Sequence, residues 1–148
     1  MTAVPSRKPT ASHLAKVPLF ADLSGRQLAA VAELAQEVRY SPGRMIVRAD
    51  TPGQAFYAIV EGNAKVLRGR ISSAAGTWRL GPGDFFGEMA LLDGGPRSAS
   101  VVAETELTTI RIERADFRSM LRSEPDIAVK LLAGMAKRMR ELMRTPPL

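Results

Sequence analysis

The stretch of sequence that decides the fold runs from residue 81 to residue 103 and reads GPGDFFGEMALLDGGPRSASVVA. It opens on a Gly-Pro-Gly turn and closes on a β-prone Ser-Val-Val-Ala run. Between them, residues 87–92 predict a short helical turn that lies between two strands. The free N–H groups at the start of such a turn form a site for an anion.

Three residues of this stretch indicate which anion the site would bind. Gly87 has no Cβ, so a ligand can approach the backbone closely. Arg97 follows a Gly-Gly-Pro turn, and its planar guanidinium matches a phosphate bidentately. Glu88 would repel a phosphate unless its carboxylate points away and accepts a hydrogen bond from a sugar hydroxyl. A nucleotide supplies both groups.

Short β-prone runs surround this stretch, from Arg44 to about Glu113. Glycine and proline turns separate them, and this pattern is typical of an all-β sandwich or barrel. In the last run Ile110 and Ile112 alternate with Arg111 and Glu113, as in a half-buried strand. The predicted strands cover residues 45–47, 56–60, 64–67, 77–80, 100–103 and 107–112.

A helix is predicted before the strands. Ser24 and Gln27 have the spacing of a capping box, and apolar residues then recur at helical intervals. We expect this helix to continue to about Tyr40, since a Ser-Pro-Gly turn follows. The apolar face would consist of Leu28, Val31, Ala32, Ala35 and Val38.

Helical spacing returns after the strands. Phe117, Met120 and Leu121 predict a short helix, and Pro125 suits the first turn of a second one. The second helix carries an apolar stripe of Ile127, Leu131, Met135, Met139 and Leu142. The fold class that follows is mainly β with flanking α: an antiparallel β-barrel with an N-terminal helix and C-terminal helices.

The two termini differ from this pattern. Residues 1–16 are rich in Pro, Ser and Thr and contain basic but no acidic side chains, which predicts a flexible basic arm. We expect residues 144–148 to form a short tail. His13 is the single histidine and the chain has no cysteine, so neither a metal site nor a histidine-based triad is expected.

Composition limits the classes of protein further. The 148 residues fit one domain, and no apolar run approaches the length of a membrane span. The absence of cysteine is compatible with the cytoplasm, where we expect the protein to act. The net charge of +6 favours an anionic partner, although a basic surface without any partner explains it equally well.

The stretch 81–103 resembles the phosphate-binding cassette of cyclic-nucleotide-binding domains. That family's pattern is Gly-Glu-x-Ala-Leu, a variable turn, and then Arg-(Ser/Thr/Ala)-Ala; here it reads GEMAL from Gly87 and PRSA from Pro96. The run FYAIVEG from Phe56 is also similar to the family. The resemblance covers roughly residues 17–143 and implies a jelly-roll β-barrel whose last helix closes over the ligand as a lid.

The resemblance also implies roles for residues of the stretch. Glu88 would bind the ribose 2′-hydroxyl and Arg97 the cyclic phosphate. Gly87 would permit the close approach of the ligand, and backbone N–H groups with Ser98 would complete the phosphate-binding site. The whole implied contact set is Gly87, Glu88, Met89, Ala90, Leu91, Arg97, Ser98 and Ala99. The alternative is a salt bridge between Glu88 and Arg97 in a domain that has lost its ligand.

Base selectivity is indicated less directly. Ser98 favours cAMP, while its hydroxyl leaves cGMP open. Val47 and Val60 are candidates for an apolar wall near the base, although core packing explains them as well. Met135, Arg138 and Met139 are candidates for the residue that caps the base; ordinary helix packing and a solvated charge are the alternatives.

The predicted function is therefore a non-enzymatic sensor, because no set of nucleophile, base and acid is visible and Glu88 is explained as a ligand contact. Three alternatives remain: the sensor half of a transcription regulator, the cytoplasmic domain of a channel or transporter, and an interaction scaffold that binds no nucleotide. We expect no metal, no membrane segment and no direct DNA binding. The effector is unknown, and the apolar stripe of the last helix makes a homodimer possible.

Overall fold

The structure is a computed structural model and describes residues 4–7, 11–49, 54–68, 77–87 and 99–144. The N-terminal part contains strand β1 (Val4–Arg7), helix α1 (Ala11–Ala15), a 3-10 turn (Pro18–Phe20) and helix α2 (Gly25–Leu34). Eight strands follow: β2 (Ala35–Tyr40), β3 (Met45–Val47), β4 (Ala55–Glu61), β5 (Ala64–Arg68), β6 (Thr77–Leu80), β7 (Phe85–Phe86), β8 (Ala99–Ala103) and β9 (Leu107–Glu113). Helices α3 (Arg114–Ser123) and α4 (Pro125–Arg144) complete the described chain.

The strands form two antiparallel sheets. The five-stranded sheet has the order β1-β2-β9-β4-β7, and the four-stranded sheet has the order β3-β8-β5-β6. Within the described residues no ladder joins the two sheets, and these residues form a sandwich of two sheets. The predicted class, mainly β with flanking helices, is confirmed.

Two apolar clusters hold the layers together. The inter-sheet cluster lies between the two sheets and includes Val47, Tyr57, Val66, Phe86 and Val101. The helix-side cluster joins the helices to the other face of the five-stranded sheet and contains Phe20, Phe56, Ile110, Ile112 and Ile127. The five-stranded sheet is therefore the middle layer, and its central strands β4 and β9 are covered on both faces.

The start of α2 agrees with the sequence, but its end does not. Ser24 Oγ accepts a hydrogen bond from the Gln27 backbone, and Gln27 Oε1 accepts one from the Ser24 backbone, which confirms the capping box. The expected continuation to Tyr40 is wrong, because the helix ends at Leu34 and residues 35–40 form β2. β2 pairs with β9 along its whole length, and those ladder bonds override the local helical spacing.

The described residues of the N-terminal segment contribute a strand and a short helix to the fold. β1 pairs with β2 at the edge of the five-stranded sheet, and α1 buries Leu14 completely. The side chain of Leu14 belongs to the helix-side cluster, and the flexibility of residues 1–16 stays a prediction. Over the ranges given above, no helix combines the length and apolar character needed to cross a lipid bilayer.

Candidate functional site at the ends of β7 and β8

The predicted site falls on the connection between β7 of one sheet and β8 of the other. Glu88, Met89, Ala90, Leu91, Arg97 and Ser98 all lie outside the described residues. Gly87 and Ala99 are the described residues on either side. Because β7 and β8 belong to different sheets, residues 88–98 connect the two layers of the sandwich.

The N-terminal side of this connection is fixed by backbone bonds. Asp84 Oδ2 accepts a hydrogen bond from Gly81 N over 2.8 Å and closes the turn before β7. The backbone of Ile59 bonds to both Asp84 and Gly83, over 2.8 and 2.9 Å. Gly87 then has a φ of 87°, in the left-handed region that a side chain disfavours. The glycine is therefore required by the backbone here, whether or not a ligand approaches it.

The C-terminal side is fixed by a buried hydroxyl. Ala99 packs against the inter-sheet cluster, and Ser100 is only 2% exposed. Ser100 Oγ accepts a hydrogen bond from Ala49 N over 2.9 Å, which joins β8 to the chain that leaves β3. Both flanks of residues 88–98 are thus held by specific bonds to neighbouring strands.

A row of three side chains crosses the five-stranded sheet beside Gly87. Phe86 is the strand partner of Tyr57, and Tyr57 is the strand partner of Arg111. The rings of Tyr57 and Phe86 stack with centroids 5.0 Å apart and an interplanar angle of 10°. Arg111 Nε donates to the Tyr57 hydroxyl over 3.2 Å, and its guanidinium lies 5.8 Å from the Tyr57 ring centre. We call Arg111, Tyr57 and Phe86 the cross-strand row.

Arg111 is also paired with a carboxylate. Its Nη1 donates to Glu113 on the same strand, and 24% of its side chain is exposed. Burial acts to lower the pKa of Arg111, but the hydrogen bonds to Glu113 and Tyr57 outweigh it and the pKa is raised. The guanidinium therefore stays charged inside this end of the sandwich.

Tyr40 adds a second phenol to this polar group. Burial raises the pKa of Tyr40 well above its usual value, and the charge and hydrogen bond of the neighbouring Tyr57 raise it further. Both phenols are buried in the inter-sheet cluster, and the raised pKa of Tyr40 keeps its hydroxyl uncharged over the physiological range.

Sequence reasoning missed the cross-strand row. The alternation in β9 indicated one buried face, with Arg111 facing the solvent. β9 is instead a central strand with both faces covered, so Ile110 and Ile112 pack on the helices while Arg111 lies on the inter-sheet side. The sequence predicted a helix on each side of the strand region. This was the available signal that one sheet would be covered on both faces, by helices on one and by the other sheet on the other.

The candidate base wall is divided between the two clusters. Val47 is buried in the inter-sheet cluster, whereas Val60 packs on the helix-side cluster. Val66, which the sequence did not single out, lies in the same cluster as Val47. Of the two predicted wall residues, only Val47 thus faces the space between the sheets.

The candidate base caps lie on α4. Met135 is partly buried against the helix-side cluster, while Met139 is 62% exposed. The side chain of Arg138 lies outside the described part of the structure. Ile127 and Leu131 of the predicted apolar stripe are buried, so the stripe begins as the core face of α4. Which residue caps the base stays a prediction.

Comparison with known proteins gives the site its context. The family model for the cyclic nucleotide-binding domain matches residues 37–124, more than half of the chain. A cAMP-dependent protein kinase regulatory subunit from Aspergillus fumigatus is 35% identical over 126 residues, which is 85% of this chain and 30% of the relative. The chain thus spans less than a third of that curated relative.

Two solved structures have the same fold. The catabolite activator protein of Thermus thermophilus has a TM-score of 0.72 at 35% identity, covering 84% of this chain and 59% of its own. The regulatory domain of Toxoplasma gondii PKA, crystallised with cAMP, has a TM-score of 0.67 at 26% identity, covering 83% of this chain and 48% of its own. With the family match over residues 37–124, these likenesses show that the chain belongs to the cyclic nucleotide-binding domain family.

Proposed function

We propose that this protein is a non-enzymatic cytoplasmic sensor that binds cAMP between its two sheets, where residues 88–98 join them. The observation that carries the proposal is the fixed geometry on both sides of this connection. Gly87 follows a strand bonded to β4, and Ala99 begins a strand that Ser100 bonds to the residues after β3. A loop held at both ends can present its side chains to a ligand with little loss of entropy on binding.

The proposed contacts follow the family pattern residue by residue. Arg97 binds the cyclic phosphate, Glu88 accepts a hydrogen bond from the ribose 2′-hydroxyl, and Gly87 leaves room for the sugar. Backbone N–H groups of residues 89–91, with Ser98 and Ala99, surround the phosphate. Val47 lies on the inter-sheet side, where an apolar wall would contact the base.

We propose cAMP rather than cGMP as the preferred ligand. Ser98 follows the phosphate arginine in place of the threonine that favours cGMP in this family. The Toxoplasma gondii domain named above was crystallised with cAMP. A serine hydroxyl can still bond to guanine, so we expect measurable but weaker binding of cGMP.

The relay proposed for the signal is a movement of α4. In the structure α4 is held against the N-terminal helices by Lys130 on Gln27 and by Lys137 on Asp22, over 2.8 and 3.1 Å. Its end is exposed at Met139 and Met143. Ligand binding can move α4 only if the nucleotide binds more tightly to the moved state. A candidate cap on α4 that closes on the base would supply that difference.

A second observation concerns the partner of the sensor. On α4 the exposed apolar residues Val129, Leu132, Met139 and Met143, with exposed Ala136 between them, recur at alternating intervals of three and four. This spacing is that of a coiled-coil seam, and it lies opposite buried Ile127 and Leu131. We further propose that two copies of the chain pair through this face. Its described flanks carry few charges, so like charges do not oppose the pairing.

Two alternatives remain for the whole protein. The relatives described above are longer than this chain, so the domain can act as the sensor of a larger regulator or channel. A scaffold without nucleotide binding is the other. These readings differ in whether the isolated chain takes up nucleotide, which a direct titration measures.

Calorimetric titration of the nucleotide-stripped protein with cAMP and with cGMP tests the proposal. We expect one cAMP per chain, and Arg97→Glu should weaken binding by about 100-fold or more, because two charge-assisted bonds are lost. Arg79→Glu is the matched control, since Arg79 pairs with Glu104 on the exposed side of the other sheet. No binding by folded wild-type protein, or equal binding by Arg97→Glu, would overturn the proposal.

A further inference from the structure

Three arginines form a row along α3. Arg114, Arg118 and Arg122 follow one another at intervals of four residues. They therefore lie on one ridge of the helix surface, and each is about 6 Å further along the helix axis than the one before it. Arg122 is exposed, whereas Arg114 and Arg118 are half-buried. We call these three residues the arginine ridge.

The arginine ridge has no carboxylate partner in the part of the chain that the structure describes. Cations on the neighbouring helices are paired there: Arg26 lies 3.8 Å from Glu124, and Lys137 lies 3.1 Å from Asp22. Over the same described ranges, no ion pair or side-chain hydrogen bond engages a member of the ridge. Like charges four residues apart on a helix destabilise each other. The ridge therefore lowers the stability of α3 unless an anion lies against it.

Arg114 is unfavourably placed for two further reasons. It is the first residue of α3, where the positive end of the helix dipole opposes a cation. Its Nε atom is buried and has no hydrogen-bond partner among the described residues, and a buried donor without a partner is costly. An anionic acceptor beside Arg114 would offset both effects.

The surroundings of the ridge limit the shape of the partner that it can bind. The carboxylates of Glu113, directly before α3, and of Asp116, on α3 itself, are both exposed. A nucleic acid duplex or an anionic membrane presents negative charge over a wide area and would meet these carboxylates as well as the ridge. Such like-charge contacts act against the wrong partner. The ridge therefore favours a narrow anionic partner.

An acidic helix has the matching spacing. Its carboxylates recur at about 6 Å when Glu or Asp residues are four apart, which is the step between the arginines of the ridge. Beside the ridge, α3 exposes Ala115 and Ser119, which are small and also four apart. A second helix can therefore pack closely against this side of α3, at an interaxial distance of about 8–10 Å.

We propose that the arginine ridge is a docking surface for an acidic helix of a partner protein, in which Glu or Asp residues recur at intervals of four. The carboxylates of that helix pair with Arg114, Arg118 and Arg122, whose planar guanidinium groups suit them. The helix itself passes over Ala115 and Ser119. This inference goes beyond nucleotide binding and does not depend on it.

Fluorescence anisotropy with a labelled synthetic peptide tests the surface. The probe has about 16 residues, enough to span the ridge at about 1.5 Å per residue, and carries glutamate at every fourth position among alanines and glutamines. The control peptide has the same composition, with its glutamates distributed around the helix. We expect the full chain to bind the probe saturably, more weakly as the ionic strength rises, and to bind the control peptide about fivefold more weakly or less. Equal binding of the two peptides would overturn the proposal.

The central arginine supplies a matched pair of variants. Arg118→Gln removes one charge from the ridge, and Arg79→Gln removes one exposed charge from β6 of the other sheet. We expect Arg118→Gln to raise the Kd of the probe by about fivefold, the upper end for one exposed ion pair. Arg79→Gln should leave that Kd within about twofold. An unchanged Kd for folded Arg118→Gln, or an equal loss in both variants, would overturn the inference.

The stability of Arg118→Gln separates a docking role from a structural one. Arg118 has no described partner and has a like charge four residues away on each side, so its replacement should not lower the free energy of unfolding. A lower value would show that Arg118 serves the fold and would overturn the inference.

A single-stranded oligonucleotide and vesicles that contain anionic lipid are the competing probes. We expect both to bind more weakly than the acidic peptide and to lose no more affinity in Arg118→Gln than in Arg79→Gln. If either of them binds through Arg118 while the acidic peptide does not bind, the partner is a broad polyanion and the acidic helix is wrong.

Discussion

The ammonium group of Lys130 donates a hydrogen bond to the side-chain oxygen of Gln27 over 2.8 Å, although the two residues are 103 positions apart in the chain. The same Gln27 oxygen accepts from the backbone of Ser24 and completes the capping box of α2. One buried side chain thus begins the first long helix and holds the last one against it. This hydrogen bond therefore joins α4 to α2, and the effect of its loss on stability can be measured.

Replacing Gln27 should therefore affect stability through both bonds. We expect Gln27→Ala to lower the free energy of unfolding by about 1–2 kcal/mol, the range for a lost helix cap. Gln27→Glu keeps an acceptor at the capping position and adds an ion pair with Lys130, so its stability should match or exceed wild type. Urea unfolding of both variants measures this, and equal losses in the two would contradict the account.

Lys130 offers a test of the proposed movement of α4. Lys130→Met keeps the length of the side chain and breaks only the bond to Gln27. If α4 must leave this position for tight binding, the variant should bind cAMP more tightly, by about two- to fivefold, because the bound-like state becomes more populated. Arg118→Met on α3 is the control. Weaker binding by Lys130→Met would show that the observed position of α4 is the one that favours ligand.

We expect Ser100 to contribute to both the stability of the fold and ligand binding, although its side chain is small. Its hydroxyl is buried and accepts from Ala49 N, and alanine would leave that donor without its partner. We expect Ser100→Ala to lower the free energy of unfolding by about 1–3 kcal/mol and also to weaken cAMP binding, since β8 begins where residues 88–98 end. Ser119→Ala, on the exposed face of α3, should change neither quantity. An unchanged Kd for Ser100→Ala would mean that the start of β8 does not position the ligand loop.

Sequence reasoning succeeded where the signal is local. The capping box of Ser24 and Gln27 depends on residues three apart and is found as predicted. The short β-prone runs between glycine and proline turns likewise became strands, because few other conformations fit between such turns. The family could be recognised from the segment 81–103 for the same reason, and the family match confirms it, while the roles of the residues in this segment stay predictions.

The features that were missed depend on residues far apart in the chain. Ala35 and Val38 fit the helical spacing of α2, yet they belong to β2 because β9 is there to pair with it. The hydrogen bond between Arg111 and Tyr57 could not be seen because the two residues are 54 positions apart in the chain. Of the exposed apolar face of α4, the sequence analysis had named only Met139, because the predicted stripe had already explained the helix and only burial distinguishes the two faces.

The raised pKa of Tyr40 predicts that the folded protein loses stability at alkaline pH. Its pKa is raised in the folded state, whereas an unfolded tyrosine ionises near pH 10. Below about pH 10 both states are protonated and the hydroxyl's contribution to stability is fully present. As the pH rises further, the unfolded state alone releases the proton and stability falls. The free energy of unfolding should therefore decline more steeply with pH in wild type than in Tyr40→Phe, and parallel curves would contradict the assignment.

The exposed apolar face of α4 predicts that the protein forms a dimer. Leu132 lies near the middle of the exposed seam of Val129, Leu132, Ala136, Met139 and Met143, where a charge would be buried between two helices. We expect wild type to sediment as a dimer and Leu132→Glu as a monomer, with little change in the free energy of unfolding of the folded chain, since Leu132 contacts solvent in the single copy. Ala29→Glu adds the same charge at an exposed position of α2 and should remain dimeric. If wild type is a monomer at micromolar concentration, this face serves another partner. If Leu132→Glu is still a dimer, the contact between the two copies lies elsewhere on the domain.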